Sequence, residues 1–509
     1  MTALYPLFLT LFLIGSAYRE VCPIGNPWEA AGCASILLLL AYALFALFRS
    51  LVKDAGKAAL ITTITLFTLG LSRAIADAVI STHMHSVGSL INHDKDHIVW
   101  ASILGGIVIV AILLIVAIIR TKRNLRSFNQ AVSAALIALL LTTFGGLWFD
   151  PRDAVLREAT ASMSVSLKTP ECPPDIYFII LDAHTSFDGL RDFWKYESKE
   201  LPDFLRKKGF QIAFGARSDY MYTTQSLASR LNLRYTPAIF DDWGDRYARN
   251  ALIHIIRKSA VPALLSSAGY KIINLSMTPM DMADARYSIS DFLCFQSVKK
   301  MLLDRSLFSI IPPLFRASTE PRNRVRVEAA SPESARPGRK AARHKTRPLT
   351  DFEAVAAQAS VQPRFIFVHS LITHEPFLFN PDGSLHAPIQ LCNADADNRA
   401  YLDQLRYVDQ WLIQVLTRII ENASRPSVII LQGDHGFRHF KGSAEDTENE
   451  SYCMLNAILL PGSKANELPD TFSPVNTFRL VFNHVFAAGL PYLTNAVPRK
   501  MSIENRNGD

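Results

Sequence analysis

The sequence has few cysteines, and their arrangement argues against one common class of metal site. Only six of its 509 residues are cysteine, and none forms a Cys-x-x-Cys pair. Zinc sites built from thiolates usually carry such pairs, so this kind of site is not expected. The even number of cysteines in the second part of the chain instead allows up to two disulfides in an exported domain, among Cys172, Cys294, Cys392 and Cys453.

The sequence also lacks an internal repeat, which excludes solenoid and propeller arrays. Charged residues make up only 19% of the chain, and much of the net charge of +7 lies in two short basic runs. A charge distributed in this way gives no reason to propose nucleic acid as a partner.

Apolar residues are abundant, at 49%, and they are concentrated in the first 150 residues. Five runs there are long enough, or nearly so, to cross a bilayer, which takes about 20 helical residues. They lie at residues 3–18, 30–48, 58–80, 98–119 and 130–149. The first run has no Lys or Arg before it and four more follow, which favours a membrane helix over a signal peptide. Residues 1–150 are therefore predicted to form a multi-pass membrane domain.

Basic residues between these runs indicate the direction of insertion. The loop after the second run carries Arg49, Lys53 and Lys57, and the loop after the fourth reads RTKRNLR. Because basic loops stay in the cytoplasm, an odd number of spans places the rest of the chain outside.

Residues 171–500, after a polar connector at 151–170, alternate between strand and helix patterns. The apolar runs lie at residues 175–181, 270–277, 364–371, 427–433 and 454–462. They lack the alternation of a half-exposed strand, so each is expected to be buried on both faces. Strands that alternate with helices predict an α/β domain with a mostly parallel sheet.

One segment of this domain, residues 318–348, is polar, basic and proline-bearing. Such a composition cannot bury a core, so the segment is predicted to be a disordered surface insertion. The alternative interpretation is an electrostatic contact with anionic lipid headgroups.

Chemistry-bearing side chains follow three of the predicted strands. They are Asp182 and His184 after the first, His369 and His374 at the end of the third, and Asp434 and His435 after the fourth. A single Asp or His at such a place is commonly structural. However, ligands bind beyond the carboxyl ends of parallel strands, and these groups are the ligands that a divalent ion such as zinc or manganese prefers. Together they predict a metal site.

A hydroxyl-rich stretch supplies a candidate nucleophile. Residues 218–229 read SDYMYTTQSLAS and lead into a helix at about Gln225. A threonine at a helix N-terminus next to a metal ion can attack phosphorus, because the cation and the backbone N–H groups both favour its alkoxide. Thr223 and Thr224 are both candidates, and the alternative interpretation is that the threonine only caps the helix.

These motifs together resemble the alkaline phosphatase superfamily, and specifically its sulfatase-like membrane branch, which includes phosphoethanolamine transferases and lipoteichoic acid synthases. The resemblance covers about residues 170–495 and rests on ILDAHTS, TTQSLAS, VHSLITHEPF, LQGDHG and the closing LPG…SPVNTFRLVFN. Five spans before an outer catalytic domain are also the transferase layout. The resemblance implies an alkaline-phosphatase-like fold and a bacterial inner-membrane protein whose catalytic domain faces the periplasm.

The resemblance also implies roles for individual residues. The implied metal ligands are Asp182, Thr223, Asp434 and His435. The implied catalytic residues are Thr223, His369 and His374. The substrate-binding residues expected beside them are His184, Arg438 and His439. Thr223 is preferred as nucleophile because Ser226 follows it by three residues, as in the family, and Thr224 is the second choice.

The chain departs from the family pattern at two places. Asp182 stands where the transferases usually have Glu, and their further His, about a dozen residues after the Asp-His pair, is missing. Glu448 lies in that region instead. The sequence also lacks a CxPxR-like motif, so sulfate-ester hydrolysis by formylglycine is not expected.

The resulting hypothesis is metal-dependent transfer of a phospho-headgroup from a membrane lipid donor to an envelope glycan or lipid acceptor, through a phospho-threonine. The headgroup would be of the phosphoethanolamine or phosphoglycerol type. A phosphodiester or phosphomonoester hydrolase with the same residues is the first alternative. An inactive membrane-anchored scaffold for envelope assembly is the second.

Overall fold

The structure is a computed structural model that describes residues 4–22, 24–25, 27–84, 96–241, 245–276, 278–284, 298–306, 336–385, 394–463 and 468–494. The strands are β1 (Asp175–Leu181), β2 (Gln211–Ile212), β3 (Lys271–Leu275), β4 (Arg364–Ser370), β5 (Ser427–Gly433) and β6 (Asn456–Leu459). The helices are α1 (Tyr5–Val21), α2 (Pro27–Val52), α3 (Ala55–Met84), α4 (Asp96–Arg120), α5 (Arg126–Trp148), α6 (Arg152–Ala159), α7 (Phe187–Asp192), α8 (Glu200–Lys207), α9 (Thr223–Leu231), α10 (Arg246–Arg257), α11 (Ala260–Ser267), α12 (Val298–Arg305), α13 (Arg336–Ala356), α14 (Ala394–Glu421), α15 (Ala444–Tyr452) and α16 (Thr477–Phe486).

Contacts divide the chain into two units. The first contains Met1–Asp153 and Cys294–Arg326, and the second contains Ala154–Leu293 and Val327–Asp509. The second segment of the first unit was not anticipated from the sequence. Its helix α12 buries Val298 and Met301 against Val21 of α1.

The first unit confirms the predicted helical membrane domain. Four helical stretches of the described residues are long and apolar enough to cross a membrane: Pro27–Val52, Ala55–Ala76, Ser102–Arg120 and one that begins at Arg126. Five were predicted. Helix α1 covers the first predicted run, but its 17 residues lie at the lower limit for a membrane span.

The second unit is an α/β domain around a six-stranded sheet with the order β2-β6-β5-β1-β4-β3. Strands β5, β1, β4 and β3 are parallel to one another. Strand β6 is antiparallel to β5, and β2 is antiparallel to β6. The predicted mostly parallel sheet is therefore confirmed.

Both faces of this sheet are covered by apolar side chains. Along β1, Phe178 belongs to one core cluster and Ile179 to the other, because successive strand side chains point to opposite faces. Helices α9, α10, α11 and α16 contribute to the first cluster. Helices α8, α13 and α14 contribute to the second. This double covering explains why the strands are continuous apolar runs.

The register of the three central strands brings their carboxyl ends to one edge. Leu181 of β1 pairs with Ser370 of β4 on one side and with Gly433 of β5 on the other. The residues that follow β1 and β5, together with His369 at the end of β4, are therefore neighbours. This is the edge at which the sequence predicts the site.

The predicted disordered insertion is wrong for its second half. Residues 318–335 lie outside the described residues, but residues 336–348 form the beginning of helix α13. This helix buries Leu349 and Phe352 in the second core cluster. Packing of those apolar residues, which lie just beyond the predicted segment, stabilises the helix despite its basic first half.

The predicted disulfides find no support in the described residues. Cys172 and Cys453 are free thiols, the first exposed and the second buried. Cys294 and Cys392 lie outside the described residues.

Candidate active site and metal centre

The chain turns sharply directly after β1. Ala183 has a φ of +60°, a left-handed conformation that is uncommon for residues other than glycine. Its N–H group donates to Oδ1 of Asp434 at 2.9 Å, and the N–H group of Asp182 donates to the carbonyl of Ser370 at 3.0 Å. These bonds tie the end of β1 to the ends of β4 and β5, and they fix the position of the Asp182 carboxylate.

The Gly-Asp-His-Gly turn after β5 depends on close backbone approach at both glycines. A Cβ atom at Gly433 would lie 2.4 Å from the carbonyl oxygen of His184. A Cβ atom at Gly436 would lie closer still to the carbonyl oxygen of Glu450. Both contacts are too short for any side chain, so these positions require glycine for space. Within the turn, Oδ1 of Asp434 also accepts from the N–H group of His435 at 2.9 Å.

The predicted residues converge on a small cluster of oxygen and nitrogen atoms. Oδ2 of Asp182 lies 3.2 Å from Nε2 of His369 and 3.4 Å from Oγ1 of Thr223. Nε2 of His435 lies 3.3 Å from the same threonine oxygen and 3.4 Å from Oδ2 of Asp434. We refer to Asp182, Thr223, His369, Asp434 and His435 as the central cluster.

Several atoms of the central cluster are buried without a hydrogen-bond partner among the described residues. They are Oδ1 of Asp182, Oδ2 of Asp434 and Nδ1 of His369. Ligand atoms of these three residues lie within 4.8 Å of one another. Buried carboxylates require compensating charge, and the donor set is the one that zinc or manganese accepts. The residues present therefore fit a divalent cation.

Electrostatics in the central cluster favour the ionised form of Asp182. Burial alone would raise the pKa of Asp182, but the hydrogen bond with His369 and the nearby imidazoles of His374 and His435 hold that pKa well below its usual range. Burial likewise opposes the charged form of His369, and its contact with Asp182 raises its pKa. The carboxylate is thus kept as a charged ligand.

The two candidate threonines differ in placement. Thr223 is the first residue of α9, and its hydroxyl faces the central cluster. Oγ1 of Thr224 is buried and has no hydrogen-bond partner among the described residues. The structure therefore brings Thr223 into the cluster and leaves Thr224 outside it.

Three further predicted residues lie around the cluster. Nε2 of His374 is 4.0 Å from Oδ1 of Asp182, and its ring is partly exposed. Arg438 stacks over the ring of Tyr222, the residue before Thr223, at 4.8 Å. His439 is exposed and lies 3.5 Å from Oε1 of Glu375. These side chains form the rim of the site.

His184 is not brought into this arrangement. Its side chain is fully buried, with Nδ1 2.9 Å from the carbonyl oxygen of Thr185 and Nε2 3.5 Å from Oδ1 of Asp409. The sharp turn at Ala183 carries the ring into the core. The structure thus gives His184 a packing role and offers nothing for its predicted role in substrate binding.

Arg230, which was not predicted from the sequence, holds the backbone of the Asp-His turn by hydrogen bonds. This fully buried residue of α9 donates to the carbonyl oxygens of Gly433 at 2.7 Å and Asp434 at 2.9 Å. Burial lowers its pKa to about 10, against the opposing effect of Asp434 and Asp219. It lies seven residues after Thr223, and this two-turn spacing on one helix was the available signal.

Lys345 was also missed. It lies on α13, and its buried ammonium donates to the carbonyl oxygens of Leu371, at 2.9 Å, and His374. Burial lowers the pKa of Lys345 to about 8, while Asp182 and Glu375 oppose this shift. The lysine therefore holds the short turn that connects His369 to His374.

Replacing Lys345 by methionine is expected to lower turnover about 10- to 100-fold, the usual cost of removing a residue that orients a metal or catalytic side chain. The two carbonyl oxygens lose their donor, and His374 loses its fixed position. Initial rates with the full chain in detergent would measure this. Arg347→Met, at an exposed position of the same helix, is the matched control. Equal rates for Lys345→Met and the control would contradict the assignment.

Glu450 on α15 is a buried acid that lies behind the Asp-His turn. Its carboxyl group accepts from Nε1 of Trp194 at 2.8 Å and from Oγ1 of Thr185 at 3.2 Å. Burial raises its pKa from an ordinary 4.5 to about 8, although these hydrogen bonds act in the opposite direction. It lies two residues after Glu448, the residue that sequence reasoning noted in this region.

This raised pKa predicts a pH-dependent stability. The folded chain holds the Glu450 proton up to about pH 8, whereas the unfolded chain releases it near pH 4.5. The protonated Glu450 therefore makes its full contribution to the free energy of unfolding below pH 4.5. This contribution, roughly a few kcal/mol, is lost as the pH rises through 8. The unfolding temperature of the full chain, measured between pH 5 and pH 9, should decrease less with rising pH for Glu450→Gln than for wild type. The exposed-site control Glu445→Gln should follow wild type, and identical slopes for all three would refute the assignment.

The family model described as Sulfatase matches residues 195–470. No curated protein gives a significant match.

Several solved structures are similar at low identity. The zinc complex of the C-terminal periplasmic domain of EcEptC from Escherichia coli is 15% identical, with a TM-score of 0.40, over 65% of this chain and 87% of that chain. Lipooligosaccharide phosphoethanolamine transferase A (EptA) from Neisseria meningitidis is 12% identical, with a TM-score of 0.40, over 94% of this chain and 95% of that chain. The lipoteichoic acid synthase LtaP from Listeria monocytogenes is 12% identical, with a TM-score of 0.35, over 68% and 80%.

The Sulfatase match covers more than half of the chain and includes the nucleophile candidate, His369 at the end of β4, His374 after it, and the Asp-His turn. It agrees with the mostly parallel sheet and with the metal-compatible cluster at its carboxyl edge. The chain is therefore a member of the sulfatase family, and so an enzyme of the phosphotransferase or hydrolase type within the alkaline phosphatase superfamily.

Proposed function

We propose that this enzyme transfers a phospho-headgroup, of the phosphoethanolamine or phosphoglycerol type, from a phospholipid to a hydroxyl of an envelope glycan or lipid, through a phosphorylated Thr223. One observation carries this proposal. The hydroxyl of Thr223, at the start of α9, lies within 3.4 Å of both Asp182 and His435. A hydroxyl held in this way between buried ligand groups is suited to act as a nucleophile.

Asp182, Asp434, His435 and Thr223 are proposed to hold the metal, with His369 as a further donor at 3.2 Å from Asp182. When bound, zinc or manganese at this position would favour the alkoxide of Thr223 and neutralise a phosphate oxygen. The carboxylate oxygens of Asp182 and Asp434 that lack a hydrogen-bond partner support this assignment of the metal ligands.

In the first step, Oγ1 of Thr223 forms a bond to phosphorus, and the bond between phosphorus and the lipid oxygen breaks. The threonine proton leaves to solvent, because Asp182 and His435, the two groups that its oxygen contacts, are assigned to the metal. The departing diacylglycerol oxygen takes a proton from His369 or His374. His374 is partly exposed, so it can reach a leaving group at the rim.

The second step reverses this chemistry. The acceptor hydroxyl gives its proton to the histidine that served as the acid and attacks the phosphorus, the bond to Oγ1 breaks, and Thr223 regains a proton from solvent. Throughout, the N-terminus of α9 favours negative charge beside Thr223, because Tyr222 provides no capping side chain for the first N–H groups. Arg438 and His439 at the rim would contact the substrate phosphate or acceptor.

The location follows from the sequence. We place residues 171–500 on the periplasmic side of a bacterial inner membrane as the catalytic domain, with residues 1–150 as its multi-pass anchor and 151–170 as the connector. The basic loops after the second and fourth predicted spans support this orientation. The donor is then a lipid of the same membrane.

Headgroup transfer can be tested with the full chain in detergent micelles that contain headgroup-labelled phosphatidylethanolamine or phosphatidylglycerol. The proposal predicts equal amounts of diacylglycerol and of labelled headgroup attached to an added envelope lipid or glycan fraction. Diacylglycerol with only free phosphorylated headgroup would indicate the hydrolase instead. No release from either lipid would contradict both.

A further inference from the structure

The long helix α14 places a tyrosine hydroxyl on the turn that carries Asp182. Tyr401 is fully buried. Its hydroxyl donates to the carbonyl oxygen of Ala183 at 2.8 Å and accepts from the N–H group of Thr185 at 3.2 Å. One phenol group, as both donor and acceptor, thus bridges the backbone on the two sides of His184. This tyrosine takes no part in the proposed transfer steps.

The turn that Tyr401 bridges is strained. Ala183 has a φ of +60°, at which its Cβ atom crowds the backbone. The turn nevertheless carries two groups of the central cluster. One is the Asp182 carboxylate, and the other is the Ala183 N–H group that donates to Oδ1 of Asp434 at 2.9 Å. Relaxation to a negative φ would move both groups. Such a conformation persists only where the surrounding structure holds it, and the two hydrogen bonds from Tyr401 oppose its relaxation.

The hydroxyl is held in place independently of this turn. The ring of Tyr401 packs against Trp194 at a centroid distance of 4.5 Å and stacks on Phe437 at 4.7 Å. Phe377 meets it edge-on at 5.5 Å. Close packing on several sides keeps a buried ring in one position. The hydroxyl is therefore a fixed point, and the turn is held to it.

The same helix is also bonded to the chain after β4. Gln404, one turn beyond Tyr401, is fully buried. Its side chain accepts from the N–H group of Leu378 at 2.6 Å and donates to the carbonyl oxygen of Ile372. His374 lies between these two residues in the chain. Helix α14 is therefore fixed to the turns after both β1 and β4, and it can act as a common reference for them.

We propose that Tyr401 is a positioning residue of the metal centre. Its hydroxyl holds Ala183 in the left-handed conformation, and it thereby sets the separation between the carboxylates of Asp182 and Asp434. The inference rests on the proposed metal ligands, but it does not depend on the identity of the substrate. Since the hydroxyl contacts the backbone of the turn, its effect on the metal passes through that turn.

The test is titration of the full chain in detergent with zinc, in competition with a chelator of known affinity. Tyr401→Phe keeps the ring and removes only the hydroxyl. It is expected to bind zinc at least about tenfold more weakly than wild type, because loss of a group that orients a metal ligand typically costs at least that much affinity.

Tyr177→Phe is the matched control. Tyr177 is also a buried tyrosine of the same domain, but its hydroxyl contacts Arg364 at 3.4 Å, near the opposite end of β1. This variant should bind zinc like wild type even where its unfolding temperature is lower. Equal zinc affinities for Tyr401→Phe and Tyr177→Phe would overturn the proposal, because the Tyr401 hydroxyl would then serve stability alone.

A double-variant cycle shows whether the hydroxyl acts through the turn. Glycine adopts a positive φ without steric cost, so Ala183→Gly removes the strain that the hydroxyl opposes. In that background, Tyr401→Phe should weaken zinc binding by less than about threefold. A tenfold loss there as well would show that the hydroxyl acts by another route, and the proposal would be wrong. This comparison also decides the matter if Tyr401→Phe alone does not fold.

Zinc binding and headgroup transfer can fail separately. A wild type that binds zinc with this dependence on Tyr401 but releases no diacylglycerol would contradict the proposed function and leave the positioning role standing. A wild type that transfers the headgroup while Tyr401→Phe binds zinc like the control would do the reverse. A wild type that binds neither zinc nor manganese would overturn both.

Discussion

The variant Thr223→Ala is expected to lose at least about a thousandfold in turnover while it still folds and binds metal. The reason is local. Thr223 carries the hydroxyl that lies within 3.4 Å of Asp182 and 3.3 Å of His435, whereas the neighbouring Thr224 hydroxyl is buried outside the central cluster. Initial rates of diacylglycerol release would measure the loss, with unfolding temperature and metal content determined on the same samples.

Two further variants show whether the loss of activity is due to the Thr223 hydroxyl. Thr223→Ser keeps a hydroxyl and should retain measurable activity. Thr224→Ala changes the adjacent residue and should stay within a few-fold of wild type. Full turnover by Thr223→Ala with metal bound would show that this threonine is not the nucleophile.

Replacing Asp182 or Asp434 by asparagine is expected to remove the metal and, with it, the activity. An amide oxygen carries no charge and is a weak ligand for zinc or manganese. The fold should survive, because an asparagine oxygen at position 434 can still accept the N–H groups of Ala183 and His435. Bound metal would be measured by elemental mass spectrometry after equilibration at a fixed metal concentration, and affinity should fall by at least about a hundredfold.

The control is Asp409→Asn. Asp409 is also a buried carboxylate, but it faces His184 and lies outside the central cluster. It should keep its metal. Undiminished metal content in Asp182→Asn and Asp434→Asn would contradict the assignment of the site.

The strand ends of the site could be predicted because two independent rules apply to them. Unbroken apolar runs indicated strands buried on both faces, and parallel strands present their carboxyl ends at one edge. Asp182, His369 and Asp434 lie there because Leu181 pairs with both Ser370 and Gly433. The antiparallel direction of β6 could not be predicted, since its apolar pattern is the same in either direction.

Lys345 and Glu450 could not be placed because their roles depend on packing between distant segments. Lys345 lies in a basic stretch whose composition resembles that of disordered segments, although it stands four residues before Leu349 and seven before Phe352 on one helical face. Glu450 contacts Thr185 and Trp194, more than 250 residues earlier. The burial of His184 could not be predicted either, because it depends on the turn at Ala183, which sends the ring into the core.

A phosphorylated Thr223 is tested most directly by measuring the mass of the enzyme during turnover. The full chain would be mixed with phosphatidylethanolamine or phosphatidylglycerol, quenched in acid within milliseconds, digested and analysed by mass spectrometry. The peptide carrying Thr223 should gain the mass of the corresponding phospho-headgroup, and Thr223→Ala should show no such gain. A headgroup found on any other residue, or a wild-type enzyme that turns over many times with Thr223 always unmodified, would contradict it.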